Sequence, residues 1–349
     1  MKKILFLIIL ISNFFFAFAQ SDTTSSSDGV DTNTVNSLLS LSKNNFGVDP
    51  LKAINYSYKA LELSQKLNFR KGEAFALKNL GIANYYQGHN IEALGYYQKS
   101  LLVFQSIGDD NGISNIESNI GAIYMNQGND TKALEYFLKS LQVAEKTGDK
   151  LRIVTPTSNI GAIYAKNDST LDKALSYYLK ALPMAIALKD SNAIGTISVN
   201  IGEIYSIRNQ DSLALYYLKK SLQFFGNSEN SPASYNAIGK VYRNQKKYDL
   251  ALQAHQRAYT IAKNLNGKLD IVYSLKGIGK TYMELKDYSS ALSYLRQGEV
   301  IAKDINAPME LMLIDSAIAA SYSQVKDYKN AHLYEVSYAA YKDTLYNNE

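Results

Sequence analysis

One alanine returns along this chain at a nearly constant interval. It stands in the same local setting eight times, at Ala53, Ala93, Ala133, Ala174, Ala214, Ala251, Ala291 and Ala331. The spacings are 40, 40, 41, 40, 37, 40 and 40 residues. A fixed period of this length is typical of arrays in which each unit packs on its neighbours. The chain of 349 residues is therefore predicted to grow along one axis rather than to build two separate cores.

A second marker precedes the alanine in each unit after the first. It is an apolar residue followed by a small one, at Leu80-Gly81, Ile120-Gly121, Ile160-Gly161, Ile201-Gly202, Ile238-Gly239, Ile278-Gly279 and Ile318-Ala319. Apolar and small residues around both markers recur at the spacing of an amphipathic helix. Segments such as Gln127-Gly128-Asn129-Asp130 interrupt this pattern and are typical of turns. Each period therefore predicts one helical hairpin.

The repeated glycine needs a packing reason, because glycine inside a helix costs about 1 kcal/mol relative to alanine. We expect it to allow close approach of two helices, with axes about 8 to 10 Å apart. A tyrosine follows the marker by three residues in six units, at Tyr124, Tyr164, Tyr205, Tyr242, Tyr282 and Tyr322. These tyrosines are expected to fill the space opposite the glycines.

These motifs resemble the tetratricopeptide repeat. The first helix carries small-x2-Tyr, and the second carries Ala-x3-aromatic-x2-small, as at Ala93, Tyr97 and Ser100. The resemblance covers residues 35–345, in a variety with a period near forty residues. It implies an all-α fold, a right-handed superhelical solenoid of about eight hairpins. The predicted units are 35–68, 69–108, 109–148, 149–189, 190–226, 230–266, 267–306 and 307–345.

The prolines give further expectations about helix ends. Pro50, Pro156, Pro232 and Pro308 follow residues that could begin a helix, so each is predicted near a helix start. Pro183 falls late in a second helix and is expected to shorten or kink it.

The first nineteen residues read as a signal peptide. Lys2 and Lys3 precede the apolar run Ile4 to Ile11, and Ala17-Phe18-Ala19 offers small residues for cleavage. An uncleaved anchor is the alternative, but the apolar stretch is shorter than the roughly 20 residues of a spanning helix. Residues 20–34 are predicted to form a disordered polar linker. The mature chain is thus expected outside the cytoplasm, in the periplasm or at the cell surface, with no membrane span.

No residue pattern in this chain indicates catalysis. The chain has no cysteine, and His89, His255 and His332 fall in three different units without metal-ligand spacing. The repeated glycines lie inside helices rather than in phosphate-binding turns. We therefore expect no enzyme activity, no cofactor, no metal and no nucleic-acid partner. His255 occupies the aromatic position of its second helix and is expected to pack in the core.

Asparagines mark the surface that a tetratricopeptide groove would offer to a ligand. Asn79, Asn119, Asn159 and Asn200 each stand two residues before the glycine. Asparagine is a poor residue for the middle of a helix, so four copies in phase need an explanation. One is a ladder of amides that holds the backbone of an extended peptide. The other is a structural ladder in which each amide bonds a neighbouring repeat.

Basic residues mark the same surface in the C-terminal part of the array. Between residues 232 and 303 there are twelve Lys or Arg against five Asp or Glu. Of these, Lys240, Arg243, Lys276 and Lys280 fall on predicted groove positions. Their placement resembles part of the carboxylate clamp of some tetratricopeptide proteins, although apolar and acidic residues occupy other clamp positions. The alternative is a solvated helix face.

The predicted function is a protein-interaction scaffold. It would bind an extended or acidic peptide or protein partner in its concave groove, through the asparagines and the basic residues. The alternative is a sensory input module, because the arrangement resembles the extracytoplasmic part of bacterial sensor kinases. In those proteins a transmembrane helix and a signalling domain follow the repeats. The sequence leaves open whether the chain stands alone or is truncated after Glu349, and it leaves the oligomeric state open.

Overall fold

The computed structural model describes residues 31–346, which form sixteen α-helices and no strand. The helices are α1 (Thr32–Asn45), α2 (Pro50–Lys66), α3 (Arg70–Tyr86), α4 (Asn90–Ser106), α5 (Asp110–Asn126), α6 (Asp130–Thr147), α7 (Lys150–Ala165), α8 (Leu171–Ala187), α9 (Ser191–Ile207), α10 (Asp211–Phe225), α11 (Ser231–Asn244), α12 (Tyr248–Asn264), α13 (Lys268–Glu284), α14 (Tyr288–Asp304), α15 (Pro308–Gln324) and α16 (Tyr328–Tyr346). A 3₁₀-helix, Asp168–Thr170, precedes α8. The predicted signal peptide, residues 1–19, lies outside the described residues.

These helices build two compact units, residues 31–188 and residues 189–346. The first unit holds the four hairpins formed by α1 to α8, and the second holds the four formed by α9 to α16. Within each unit, consecutive helices pack against each other, and first helices of successive hairpins also touch, as α11 does α13. The prediction of an all-α fold, in which about eight helical hairpins pack one on the next as in a solenoid, is confirmed.

The repeated glycines admit a large side chain from the second helix of the same hairpin. A methyl group at Gly121 would lie 2.9 Å from Cδ1 of Phe137. The same relation joins Gly81 to Tyr97, Gly161 to Tyr178, Gly202 to Leu218, Gly239 to His255 and Gly279 to Leu295. The predicted close approach is thus correct, but its partner is the residue four after the repeated alanine. The tyrosines three after the glycine do not fill this space.

Five of those six tyrosines stack on a second tyrosine instead. The pairs are Tyr124–Tyr136, Tyr164–Tyr177, Tyr205–Tyr217, Tyr282–Tyr294 and Tyr322–Tyr334, with ring centroids 5.6 to 6.0 Å apart. Both rings of each pair belong to one hairpin, and their planes are within 27° of parallel. Stacked aromatic pairs are worth about 0.5 to 1.5 kcal/mol beyond area burial. Each stack is thus a second link between the two helices of its hairpin.

Most turns contain one residue in the left-handed region. Such a residue lies between consecutive helices everywhere except between α1 and α2 and between α7 and α8. Glycine occupies five of these positions, as at Gly128 with φ +76°. Asparagine or lysine occupies the others, as at Asn266 and Lys286. Left-handed residues end helices by turning the chain and freeing the next amide to bond a final carbonyl.

Three expectations about helix boundaries are corrected by the structure. Helix α1 begins at Thr32, inside the stretch 20–34 assigned to a linker, because the Asp31 carboxylate accepts hydrogen bonds from the Asn33 and Thr34 amides. Pro156 does not begin a helix but lies inside α7. That helix begins earlier because the Asp149 carboxylate caps its first turn. Pro183 lies inside α8, which continues to Ala187 rather than ending at the proline.

The glycine contact predicts opposite effects for two glycines of one hairpin. Alanine at Gly81 would overlap the Tyr97 ring, and overpacking of this kind costs about 1 to 3 kcal/mol. Gly95, inside α4, has nothing within 4 Å of an added methyl group. Gly95→Ala should therefore raise the free energy of unfolding by about 0.5 to 1 kcal/mol. Urea unfolding of both variants measures this, and equal effects would contradict the packing role of Gly81.

Candidate functional site

Four cations come together on two neighbouring helices of the second unit. Lys240 and Arg243 lie on α11, and Lys276 and Lys280 lie on α13, which packs directly against α11. We call these four residues the basic cluster. All four side chains are half-buried. These four residues, predicted to lie on a ligand-binding groove, therefore lie on adjacent helices although they belong to different repeats.

Burial and mutual repulsion set the electrostatics of the basic cluster. Burial, together with the positive charges of Lys276 and Arg243, lowers the pKa of Lys280 to about 8. Burial also lowers the pKa of Arg243, which Glu284 partly offsets. Desolvation disfavours a charged group unless a counter-charge compensates it. An anion entering this site would supply that counter-charge.

Lys276 already has a carboxylate partner. Its ammonium group forms an ion pair with Glu310 on α15, and the two side chains are only 12% and 6% exposed. The Lys276 Nζ atom also lies 4.9 Å from the centre of the Tyr273 ring. Burial lowers the pKa of Lys276, and the Glu310 carboxylate acts in the opposite direction. Lys276 therefore links α13 to α15, and a ligand would meet it together with Glu310.

The other three cations of the basic cluster are not paired in this way. Within residues 31–346, Lys240, Arg243 and Lys280 have no carboxylate oxygen within 4.0 Å. The cluster thus combines four positive charges with one bonded carboxylate. Arg243 offers a planar fork of donors suited to a carboxylate, and the lysines act as point charges. Such a site can bind an anionic group.

A buried polar network lies beside the basic cluster. The Nδ1 atom of His255 lies 2.9 Å from Oδ1 of Asn236, and the Asn236 amide donates to the Ser274 hydroxyl at 3.1 Å. His255 is 2% exposed, as expected for a core position. Burial, with the nearby Arg243 charge, lowers the pKa of His255 to about 3. The ring is therefore neutral at pH 7 and donates its Nδ1 proton to Asn236.

The asparagines of the predicted ladder differ in their surroundings. Asn79 donates a hydrogen bond of 3.2 Å to the backbone carbonyl of Leu39, in the preceding hairpin. That contact is what the structural alternative requires. Asn159 and Asn200 are 1% and 0% exposed, on helices whose residues 152–163 and 193–204 are buried on every side. Asn119 is half-buried. Asn159 and Asn200 therefore offer almost no exposed surface to a ligand.

The first unit contains a related lysine that sequence reasoning did not single out. Lys78 on α3 stands three residues before Gly81, as Lys276 stands three before Gly279. Its Nζ atom lies 4.6 Å from the centre of the Phe75 ring. Burial lowers the pKa of Lys78 to about 8, and the charges of Lys43 and Arg152 add to the effect. The shared position relative to glycine was the signal that could have revealed it.

Residues 31–346 contain neither a candidate metal-binding cluster nor a helix that could span a membrane. No group of three or more His, Cys, Asp or Glu side chains in this part of the chain could hold a metal ion. No helix in the same range is sufficiently long and apolar to cross a membrane.

Comparisons with known proteins agree on the fold. A family model described as tetratricopeptide repeat matches residues 112–169 and 230–304. Comparison with curated proteins finds no match. The apo form of the quorum sensor NprR from B. thuringiensis has a TM-score of 0.69 and 15% identity, covering 88% of this chain and 87% of that one.

Two further solved structures show the same fold. The Rap conjugation gene regulator of the plasmid pLS20, in complex with the Phr* peptide, has a TM-score of 0.61 and 13% identity, covering 89% of this chain and 95% of that one. Aspartyl phosphate phosphatase F from Bacillus subtilis has a TM-score of 0.61 and 17% identity, covering 91% and 85%. Residues 112–169 and 230–304 therefore match tetratricopeptide repeats, and the described chain shares the helical-hairpin fold of these solved structures. At these identities the likeness establishes the fold alone.

The lowered pKa of Lys280 predicts a pH-dependent gain when its charge is removed. Between pH 8 and the ordinary value of 10.5, the unfolded chain holds a proton that the folded chain has lost, so stability rises with pH. Below pH 8 Lys280 stays charged in the folded chain, and burying that charge then lowers the free energy of unfolding by its full amount. Lys280→Met should therefore stabilise the protein at pH 7, and the gain should shrink towards pH 10. Urea unfolding at several pH values measures this gain, and Lys219→Met, which changes an exposed lysine, is the control. A stability gain of Lys280→Met that does not change with pH would contradict the prediction.

His255 predicts a loss of stability in acid. Between pH 6.5 and pH 3 the unfolded chain binds a proton at this ring that the folded chain does not. Stability from this group is therefore lost as the pH falls through that window. His255→Phe should flatten the decline, because phenylalanine carries no titratable group and other repeats place an aromatic ring there. His89→Phe, which changes an exposed histidine, should leave this loss of stability in acid unchanged. Thermal unfolding at successive pH values measures both variants.

Proposed function

We propose that this chain is an exported, non-enzymatic binding protein that holds an acidic peptide, or an acidic segment of a protein partner, at the basic cluster. One observation carries the proposal. Lys240, Arg243 and Lys280 are half-buried and unpaired with any carboxylate of the described chain. Natural proteins rarely desolvate cations without compensation unless a ligand or partner uses them.

The fold supports a peptide as the ligand. One similar structure, the Rap regulator of plasmid pLS20, is a complex with the Phr* peptide. First helices of successive hairpins lie side by side, as α11 and α13 do, so residues from several repeats can contact one extended chain. The charge of the basic cluster then favours acidic residues in that chain.

Export rests on the first nineteen residues of the sequence. Lys2 and Lys3, the apolar run that follows and Ala17-Phe18-Ala19 have the order of a signal peptide. A periplasmic or cell-surface protein meets peptides and protein tails rather than nucleic acid. The absence of cysteine also removes any need for disulfide formation in that compartment.

A sensory role is the second candidate. The quorum sensor NprR shares the fold over most of both chains. In a sensor, ligand capture at the basic cluster would be read by another part of the signalling system. Both candidates need the same ligand site. They differ in whether the ligand changes the contacts between this chain and a signalling partner. A pull-down from the native envelope would compare the proteins captured with and without the ligand.

Binding of an acidic probe tests the basic cluster directly. The probe is a fluorescein-labelled decapeptide of alternating Asp and Gly, and its Asn-Gly counterpart is the neutral reference. We expect the acidic peptide to bind, and to bind more weakly as salt shortens the Debye length to about 8 Å. The triple variant Lys240→Gln, Arg243→Gln and Lys280→Gln should weaken it at least about tenfold, as measured by fluorescence anisotropy.

A matched variant removes the same charge elsewhere in the second unit. Lys219→Gln, Lys220→Gln and Lys263→Gln change three lysines on α10 and α12, outside the basic cluster. This control variant should bind the acidic peptide with an affinity within about twofold of that of the unmodified protein, because salt screens charges that lie far from the ligand. Equal binding of the Asp and Asn peptides, or an equal loss in the control, would refute the proposal.

A further inference from the structure

A polar cleft lies in the second unit on the side of α13 away from the basic cluster. It runs between α12 and α14, and α13 forms its floor. Its two adjoining parts, of about 460 Å³ and about 330 Å³, share Gln256, Ile278 and Tyr294. Small-molecule sites commonly measure about 300 to 1,000 Å³. The cleft is therefore large enough for a ligand of that size.

The rim of the cleft carries neutral hydrogen-bonding groups. Its amides belong to Gln253, Gln256 and Gln297, and its hydroxyls include those of Thr260, Ser290 and Ser293. The one charged lining residue, Arg257, donates a hydrogen bond to Oδ1 of Asn227 at 3.2 Å. An amide side chain both donates and accepts, as a ligand hydroxyl does. This rim suits a neutral ligand rich in hydroxyl groups.

The floor and one wall are apolar. Leu275 and Ile278 of α13 are each 2% exposed. The stacked rings of Tyr282 and Tyr294 line the wall, with planes 7° apart. A pyranose ring presents apolar C–H faces and a polar edge of hydroxyls, so it can lie against an aromatic or aliphatic surface while its edge meets amides.

We propose that this cleft binds a neutral oligosaccharide, with a sugar ring on the Tyr294 wall and its hydroxyls bonded to Gln256 and Gln297. The rim offers donors and acceptors from side chains, because the backbone groups of α12 and α14 bond within their own helices.

The cleft and the basic cluster use different faces of α13. Leu275, Ile278 and Tyr282 follow each other at helical spacing on one face. Lys276 and Lys280 lie one turn apart on another. Saccharide binding is therefore independent of the proposed peptide site, and variants of one site should leave the other unaffected.

Calorimetric titration of the full chain tests the proposal with four neutral probes: maltohexaose, cellohexaose, chitohexaose and xylohexaose. We expect at least one of these probes to bind at one site per chain, with a dissociation constant below about 10 mM. The double variant Gln256→Ala and Gln297→Ala should weaken that binding at least about tenfold, because it removes two side chains that hydrogen-bond the saccharide. Both residues are exposed, so the variant should fold normally.

Gln98→Ala supplies the matched control. Gln98 is exposed and occupies in α4, five residues after Ala93, the position that Gln256 occupies five after Ala251. Its substitution should leave saccharide affinity unchanged, as should the triple variant of the basic cluster. Failure of all four probes, or an equal effect of Gln98→Ala, would overturn the proposal. Binding of a neutral Gly-Ser-Asn peptide that depends on Gln256, without saccharide binding, would also overturn it and assign the cleft to peptide.

Discussion

Six of the eight described hairpins depend on one contact, in which a large side chain of the second helix lies against a glycine of the first. Phe137 over Gly121 and His255 over Gly239 show that chemistry at the large position varies while the fit does not. Interiors at crystal-like density tolerate neither an added methyl group nor a missing ring without cost. Because the contact recurs at one period, it also fixes how each hairpin presents its outward faces to its neighbours.

The remaining faces of the first helices are thereby free to carry different chemistry in different units. On α11 and α13 they carry cations whose burial is only partly compensated by Glu310. On the opposite face of α13 the same geometry leaves apolar residues beneath a rim of amides. One helix thus serves two surfaces of unlike polarity, and the hairpin contact holds both in place.

Much of the fold followed from the sequence because period and apolar spacing are local signals. The period located the hairpins, and the placement of Lys240, Arg243, Lys276 and Lys280 on adjacent helices followed from it. The pairing of Lys276 with Glu310 did not, because the two residues lie 34 apart in sequence and the pair depends on side-chain reach. The burial of Asn159 and Asn200 depends on packing around α7 and α9, which no local pattern encodes. Pro156 shows the same limit, since the Asp149 cap outweighed the tendency of proline to begin a helix.

The tyrosine stacks have an optical consequence. The chain contains 28 tyrosines and no tryptophan, so its near-ultraviolet absorption above the phenylalanine bands belongs to tyrosine alone. Five hairpins hold two such rings nearly parallel, in contact and away from bulk solvent on one side. Chromophores in this arrangement couple, and their circular dichroism vanishes when the two helices separate. The protein thus carries built-in reporters in both of its units, with the Tyr282–Tyr294 pair on the wall of the cleft itself.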